Sequence, residues 1–173
     1  MVLKNFMHII CSNINSKNKF VVKNVKGNNL TVDSDGSDNF GTYVLQDVFA
    51  LNSNYATDLS GIGGTGGCLY VGSGSTSVTQ NDYKLESIIP ASKLKIINEI
   101  IQRQKDYDSL VTMYLTVKNI TEENISVSEI GYFYSRCTSN NPYSSDQIMM
   151  IRQVFNTITI KPGEVYTFTL NIE

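Results

Sequence analysis

Several groups of residues in this chain have the types, if not always the spacing, to do chemistry. The most suggestive is CLYVGSGSTSVTQNDYKLES, Cys68 to Ser87, where an apolar strand runs through Gly72 and Gly74 into Asp82, Tyr83, Lys84, Leu85 and Glu86. A phosphate cradle would need a Lys-Ser/Thr pair opening a helix directly after its glycines. Gly74 is followed instead by Ser75, Thr76 and Ser77, and the upstream GIGGTGG leads into Cys68-Leu69-Tyr70, the start of a strand. Neither glycine run is a nucleotide loop. Asp33, Asp35 and Asp38 in DSDGSDN set oxygens at alternating positions around a glycine, as a hard cation requires. Counting from Asp33, however, the twelfth place holds Val44 rather than a glutamate. That segment reads as a solvated turn.

Catalytic pairings fare no better. The single histidine, His8, lies in an apolar run, and nothing in the spacing ties it to Cys11, Cys68 or Cys137 as a base beside a thiol. Three cysteines without a CxxC pair make neither a disulfide framework nor a zinc site, and they read as buried thiols of a reducing compartment. Glu122 and Glu123 are adjacent in a turn, and the chain has no tryptophan to line a sugar cleft. The expectation is a protein that is not an enzyme, with no catalytic residue, no cofactor and no metal.

The composition sets the frame for these residues. A length of 173 residues points to one domain, able to bury a core without staples. A net charge of −2 argues against direct nucleic-acid binding, which needs a basic face. Eighteen asparagines with only 17% charged residues suit a β-rich chain with many turns, since Asn and Gly accept left-handed backbone. No secretory leader is visible at Met1 to Cys11, where Lys4, Asn5 and His8 interrupt the apolar run, and no stretch approaches a membrane span.

Strand signals dominate the elements that must position the chemistry. Phe6–Ser12 and Lys19–Val25 read as strands parted by a polar turn, and Leu30–Val32 as a third. Tyr43–Leu51 fits a short helix about as well as a strand, and Ser53–Gly67 reads as a mobile glycine-rich loop. Lys93–Lys105 has helical spacing but an isoleucine content that suits a strand better. In LVTMYLTVK, Val111, Met113, Leu115 and Val117 face one way and Thr112, Tyr114, Thr116 and Lys118 the other, the period of a half-buried strand. ISVSEIGYFYS supplies another strand after NITEEN. Val154, Ile158 and Ile160 mark a further one. Pro162-Gly163 then turns the chain into a last strand carrying Tyr166, Phe168, Leu170 and Ile172. The fold class expected is all-β, an antiparallel β-sandwich with long loops and little helix.

Three stretches taken together carry a resemblance: YVGSGSTSVTQNDYKLE (Tyr70 to Glu86), VKNITEENISVSEIGYF (Val117 to Phe133) and IRQVFNTITIKPGEVYTFTLNIE (Ile151 to Glu173). In this order they resemble structural proteins of tailed-bacteriophage virions. There, a strand ends in a Gly-x-Gly-Ser/Thr loop with an Asp-x-x-Leu-Glu step, a Glu-Ile-Gly strand follows, and an Arg-x-x-Phe and Pro-Gly-Glu strand pair closes the chain. The resemblance implies a non-enzymatic β-sandwich subunit of the neck, collar, tail ring or capsid exterior. It would be made in the host cytoplasm and assembled into the virion.

The residues then take structural roles. Gly72 and Gly74 turn the backbone after the strand, Asp82 caps the turn at Tyr83 to Glu86, and Leu85 drops into the core. Glu129 is expected to form an ion pair with Arg152, and Gly131 to admit a close neighbour. Assembly would use sheet edges and loops, with partners that are copies of the same chain in a ring or array and other virion proteins, not nucleic acid or membrane. Tyr134 and Tyr143, flanking Ser135–Gln147, are the candidate interface residues, because tyrosine with Ser and Asn makes adaptable binding surfaces. Alternatives within this expectation are a capsid decoration or fibre-attachment protein. A host-surface glycan-binding module using Tyr134 and Tyr143 is an alternative of a different class.

Overall fold

The computed structural model describes residues 1–5, 8, 20–32, 66–102, 111–135 and 147–172. Within them the chain is all-β and antiparallel. The strands are β1 (Phe20–Lys23), β2 (Asn29–Val32), β3 (Gly66–Gly72), β4 (Leu94–Gln102), β5 (Val111–Asn119), β6 (Ile125–Ser135), β7 (Ile148–Ile160) and β8 (Val165–Ile172). They form a hairpin, β1-β2, and two three-stranded sheets, β3-β6-β7 and β4-β5-β8. Side chains of both sheets belong to one buried cluster, and Phe155 of β7 meets Phe168 of β8 with ring centroids 5.7 Å apart.

The sequence pattern explains most of this. Met113, Leu115 and Val117 are fully buried, while Lys118 is exposed, as the alternation of β5 requires. Thr112 departs from the pattern and is buried as well. Within Lys93–Lys105, Leu94–Gln102 form a strand, β4, whose register slips between Ile96 and Asn98, and the skipped Ile97 points out at 51% exposure. The last two glycines of GIGGTGG are not loop but the first residues of β3, paired with Ser135 and Tyr134. Lys4, Asn5 and His8 are helical, where a strand was expected over Phe6–Ser12. The remainder of that stretch, Tyr43–Leu51, Asp33, Asp35, Asp38, Cys11, Cys137 and Tyr143 lie outside the described residues.

Two turns are locked by particular residues. Lys161–Glu164 closes with Glu164 N donating to the Lys161 carbonyl at 3.0 Å, and Gly163 sits at φ +75°. Proline at the second place and a left-handed glycine at the third make this a type II turn. Asn119, fully buried, ties it to the β5–β6 turn. Its Nδ2 donates to the carbonyls of Glu123 (2.7 Å) and Ile160 (2.9 Å), and its Oδ1 accepts from the Thr121 amide and hydroxyl. A buried amide satisfied at both ends is a structural joint, since leaving either end unpaired would be costly.

β6 is the strand that positions the site. From Val127 to Tyr134 every residue is buried, so both faces are covered. One face carries Ile130 and Tyr132 into the shared core. The other lies beneath the segment that follows β3, whose Leu85 approaches to 3.0 Å from the place a Cβ on Gly131 would occupy. A larger residue at Gly131 would push that cover away.

Candidate functional site

Glu129 and Arg152 meet on the covered face of β3-β6-β7. Register brings them there: Gly72 pairs with Glu129, and Gly131 pairs with Arg152. Arg152 is 2% exposed and Glu129 0%. Nε and Nη2 of Arg152 reach Glu129 Oε2 at 2.9 and 2.8 Å, and Nη1 reaches Asp82 Oδ2 at 2.7 Å. Nη2 also lies 3.4 Å from Thr76 Oγ1 and 3.8 Å from Glu86 Oε2. One guanidinium thus joins two strands of the sheet to the loop lying over it.

The carboxylates in turn organise that loop. Glu129 Oε1 accepts from the amides of Gly74 (3.1 Å) and Ser87 (2.9 Å), and Oε2 from Glu86 N (3.2 Å). Glu86 Oε2 accepts from the amides of Ser75 and Thr76 and from the Thr76 hydroxyl, each at 2.9 Å. Ser128 Oγ donates to the Gly74 carbonyl at 2.8 Å. A buried charge is tolerable only when paired and hydrogen-bonded, and here the loop backbone supplies the bonds.

Gly72 and Gly74 are glycines because of Glu129. A Cβ on either would collide with its Oε1, and on Gly72 it would also stand 2.5 Å from the Ser87 carbonyl oxygen. Both serve a close approach, with no left-handed backbone at either position.

Asp82 departs from the role its spacing suggested. It does not cap Tyr83–Glu86. Its carboxylate turns back to Thr79, accepting from the amide at 3.2 Å and the hydroxyl at 2.6 Å, and otherwise binds Arg152. The guanidinium fixes its direction more strongly than a short turn could. Partial burial works to raise the Asp82 pKa, but the Thr79 and Arg152 hydrogen bonds outweigh it and hold the carboxyl below its usual value. Hydrogen bonds from Thr76 lower that of Glu86. Burial works against the Arg152 charge, and the bonds to Asp82 and Glu129 more than offset it.

Tyr134 requires a correction. At 1% exposure it packs in the core rather than at an interface, because the end of β6 is covered on both faces. The structure brings Gly72, Gly74, Asp82, Leu85, Glu129 and Arg152 into one cluster, and Tyr134 is no part of its outer surface.

A half-buried carboxylate, Glu99 on β4, carried no signal in the sequence beyond a polar residue among isoleucines. Its Oε1 accepts from Leu69 N of β3 at 2.8 Å, joining the edges of the two sheets. Burial raises its pKa from 4.5 to about 7, with the Leu69 amide offsetting part of the shift. Nearby, burial pushes the pKa of the half-buried Cys68 thiol up to about 12. The phenol of Tyr70 is raised as well, chiefly by burial, and accepts from Gln147 Nε2 at 3.0 Å.

The outer edge of β3 is closed from Leu69 onward. Glu99 takes the Leu69 amide, Ile89 N donates to the Val71 carbonyl at 3.0 Å, and Ser73 N to the Ser87 carbonyl at 2.8 Å. β7 begins covered, with Leu3 N donating to the Met150 carbonyl and Arg152 N to that of Met1. From Gln153 onward it has no strand on its outer side among the described residues, and neither has β8. Between them lies a cleft of about 490 Å³, lined in part by Phe155, Ile158, Tyr166 and Phe168.

Among the described residues no group of three or more His, Cys, Asp or Glu is placed to hold a metal, and no helix is long and apolar enough to cross a membrane. No family model matches the chain, and no match was found among curated proteins or solved structures.

Proposed function

We propose that this protein is a non-catalytic structural subunit of a tailed-phage virion, a β-sandwich that assembles into a neck or tail ring through its free sheet edges and loops. The observation that supports a structural role is the saturation of Arg152. Its carboxylate partners are bound to it and to loop amides, and Glu129 has no surface to offer a substrate. A general acid or nucleophile must reach a reacting atom. Glu129 and Arg152 are closed off from solvent and reach only neighbouring groups of the protein.

Assembly is favoured by the contrast between edges. The β3 edge is closed, whereas the β7 and β8 edges flank an aromatic cleft where Tyr166 and Phe168 lie 4.8 Å apart. An open edge beside apolar side chains is suited to strand addition from a second copy, with backbone bonds giving affinity and side-chain pockets register. The virion setting is carried by the three sequence stretches around Gly72, Glu129 and Arg152.

The test is the copy number of the chain in purified particles, by quantitative mass spectrometry against the major capsid protein. A small count matching one cyclic ring is the expected result. A count in proportion to capsid subunits would make it a decoration protein, and absence from particles would remove the virion reading.

A further inference from the structure

The basic charge of this chain is segregated. Residues 1–32 carry five lysines and one histidine with no Asp, Glu or Arg, so the rest of the chain holds the entire acidic excess. In the structure part of that basic segment lines a cleft of about 270 Å³, with Lys4, His8, Lys23, Asn29, Gln80 and Asn81 in its wall. Among the described residues no carboxylate lines it. Neither Lys4 nor Lys23 pairs with an acid among the described residues, and Lys23 Nζ instead lies 5.5 Å from the Tyr83 ring centroid.

The wall is built by bonds from beneath. Asn5, 7% exposed, donates through Nδ2 to the Lys23 carbonyl (2.9 Å) and the Met149 carbonyl (3.3 Å), and its Oδ1 accepts from Lys23 N (3.0 Å). Lys4 N donates to the Gln80 carbonyl at 3.0 Å, joining the first residues to the loop after β3. His8 Nδ1 lies 2.7 Å from the Val21 carbonyl, so that nitrogen carries the proton and the ring is fixed against β1. Three separate segments are therefore held together with two lysines, an imidazole and four side-chain amides around one hollow.

We infer that this cleft binds an anionic sugar, with Lys4 and Lys23 receiving a carboxylate or phosphate and Asn29, Gln80 and Asn81 receiving ring hydroxyls. Charge-assisted bonds from ammonium to an oxyanion supply the affinity, and amides, which both donate and accept, suit hydroxyls. The size fits one sugar residue rather than a folded partner. Among the described residues the lining has no aromatic face for a nucleobase to stack on, which disfavours single-stranded nucleic acid. The inference is independent of where the chain sits in a particle, and it places sugar recognition away from Tyr134.

The experiment is titration of the full chain with glucuronate, glucose 6-phosphate, glucose and inorganic phosphate, followed by calorimetry or amide chemical shifts. Saturable binding of glucuronate or glucose 6-phosphate, at least tenfold tighter than glucose and than inorganic phosphate, is the expected result. Which of the two binds tighter identifies the acid group preferred. Lys4→Gln and Lys23→Gln should each weaken that binding about tenfold with the melting temperature unchanged, because both side chains are exposed. Three results would overturn the inference: no saturable binding of either acidic sugar, inorganic phosphate binding as tightly as they do, or full affinity in the Lys4→Gln/Lys23→Gln double variant.

Discussion

Two glutamates, one fully buried and one half-buried, are handled in opposite ways. Glu129 lies under the β3–β4 loop against Arg152, with three loop amides on its oxygens. Glu99 lies between two sheet edges with one backbone amide and no cation among the described residues. The first is a charge made tolerable by a complete set of partners. The second is under-compensated, and burial raises its pKa to about 7. The difference shows that depth alone does not decide what a buried acid does; the partners available in the folded backbone do.

The comparison breaks most severely at Arg152. Arg152→Met removes the cation but leaves Glu129 and Asp82 in place, so a loss of about 3–5 kcal/mol in urea unfolding is expected. The Gly72 to Ser87 segment should lose amide-exchange protection first, since its bonds run through those carboxylates. Next in size are the glycines beneath Glu129. Gly74→Ala would force Glu129 or the Glu86 Cβ to move and should cost about 1–3 kcal/mol by the same unfolding measurement.

The two regions also answer pH with opposite signs. The folded Glu99 holds its proton to about pH 7 against 4.5 for the ordinary group, so between those values the folded state binds more protons than the unfolded chain. Its contribution is therefore full below pH 4.5 and lost as pH rises through 7, by an amount on the order of 1–3 kcal/mol. Asp82 and Glu86, held below their usual values, contribute above those values and lose it as pH falls. Glu99→Gln keeps an acceptor for Leu69 N and should flatten the fall between pH 4.5 and about 7 while leaving the acid-side loss from Asp82 and Glu86 unchanged. Unfolding curves at several pH values decide this.

The smallest effect belongs to a glycine kept for a different reason. Gly163 has nothing within 4 Å of a added Cβ but sits at φ +75°, so Gly163→Ala should cost about 1 kcal/mol through backbone strain alone.

These contrasts also show what could be read from the sequence. Alternation in LVTMYLTVK and the Pro162-Gly163 pair specify β5 and a type II turn locally, and both are found. Glu129, which precedes Ile130-Gly131 in an apolar strand, was expected to pair with Arg152, and the register of β6 and β7 brings the two together. Glu99 and Asn119 were not legible, because their value depends on a β3 amide and on the Lys161–Glu164 turn, each far away in sequence. Asp82 was given the wrong partner for the same reason: a local cap is visible in sequence, and an arginine arriving from β7 is not. Tyr134 has the residue type of a surface contact, and only the covered end of β6 shows it to be core.

The account rests on the claim that the charges around Arg152 are spent on architecture. The direct test is a double-mutant cycle on Arg152→Met and Glu129→Gln, read by urea unfolding at pH 7. The account predicts a large loss for Arg152→Met alone and recovery of at least about 2 kcal/mol when Glu129→Gln is added, because the stranded charge is then removed. Near-additive losses below about 1 kcal/mol would contradict it, showing that the fold stands without the pair.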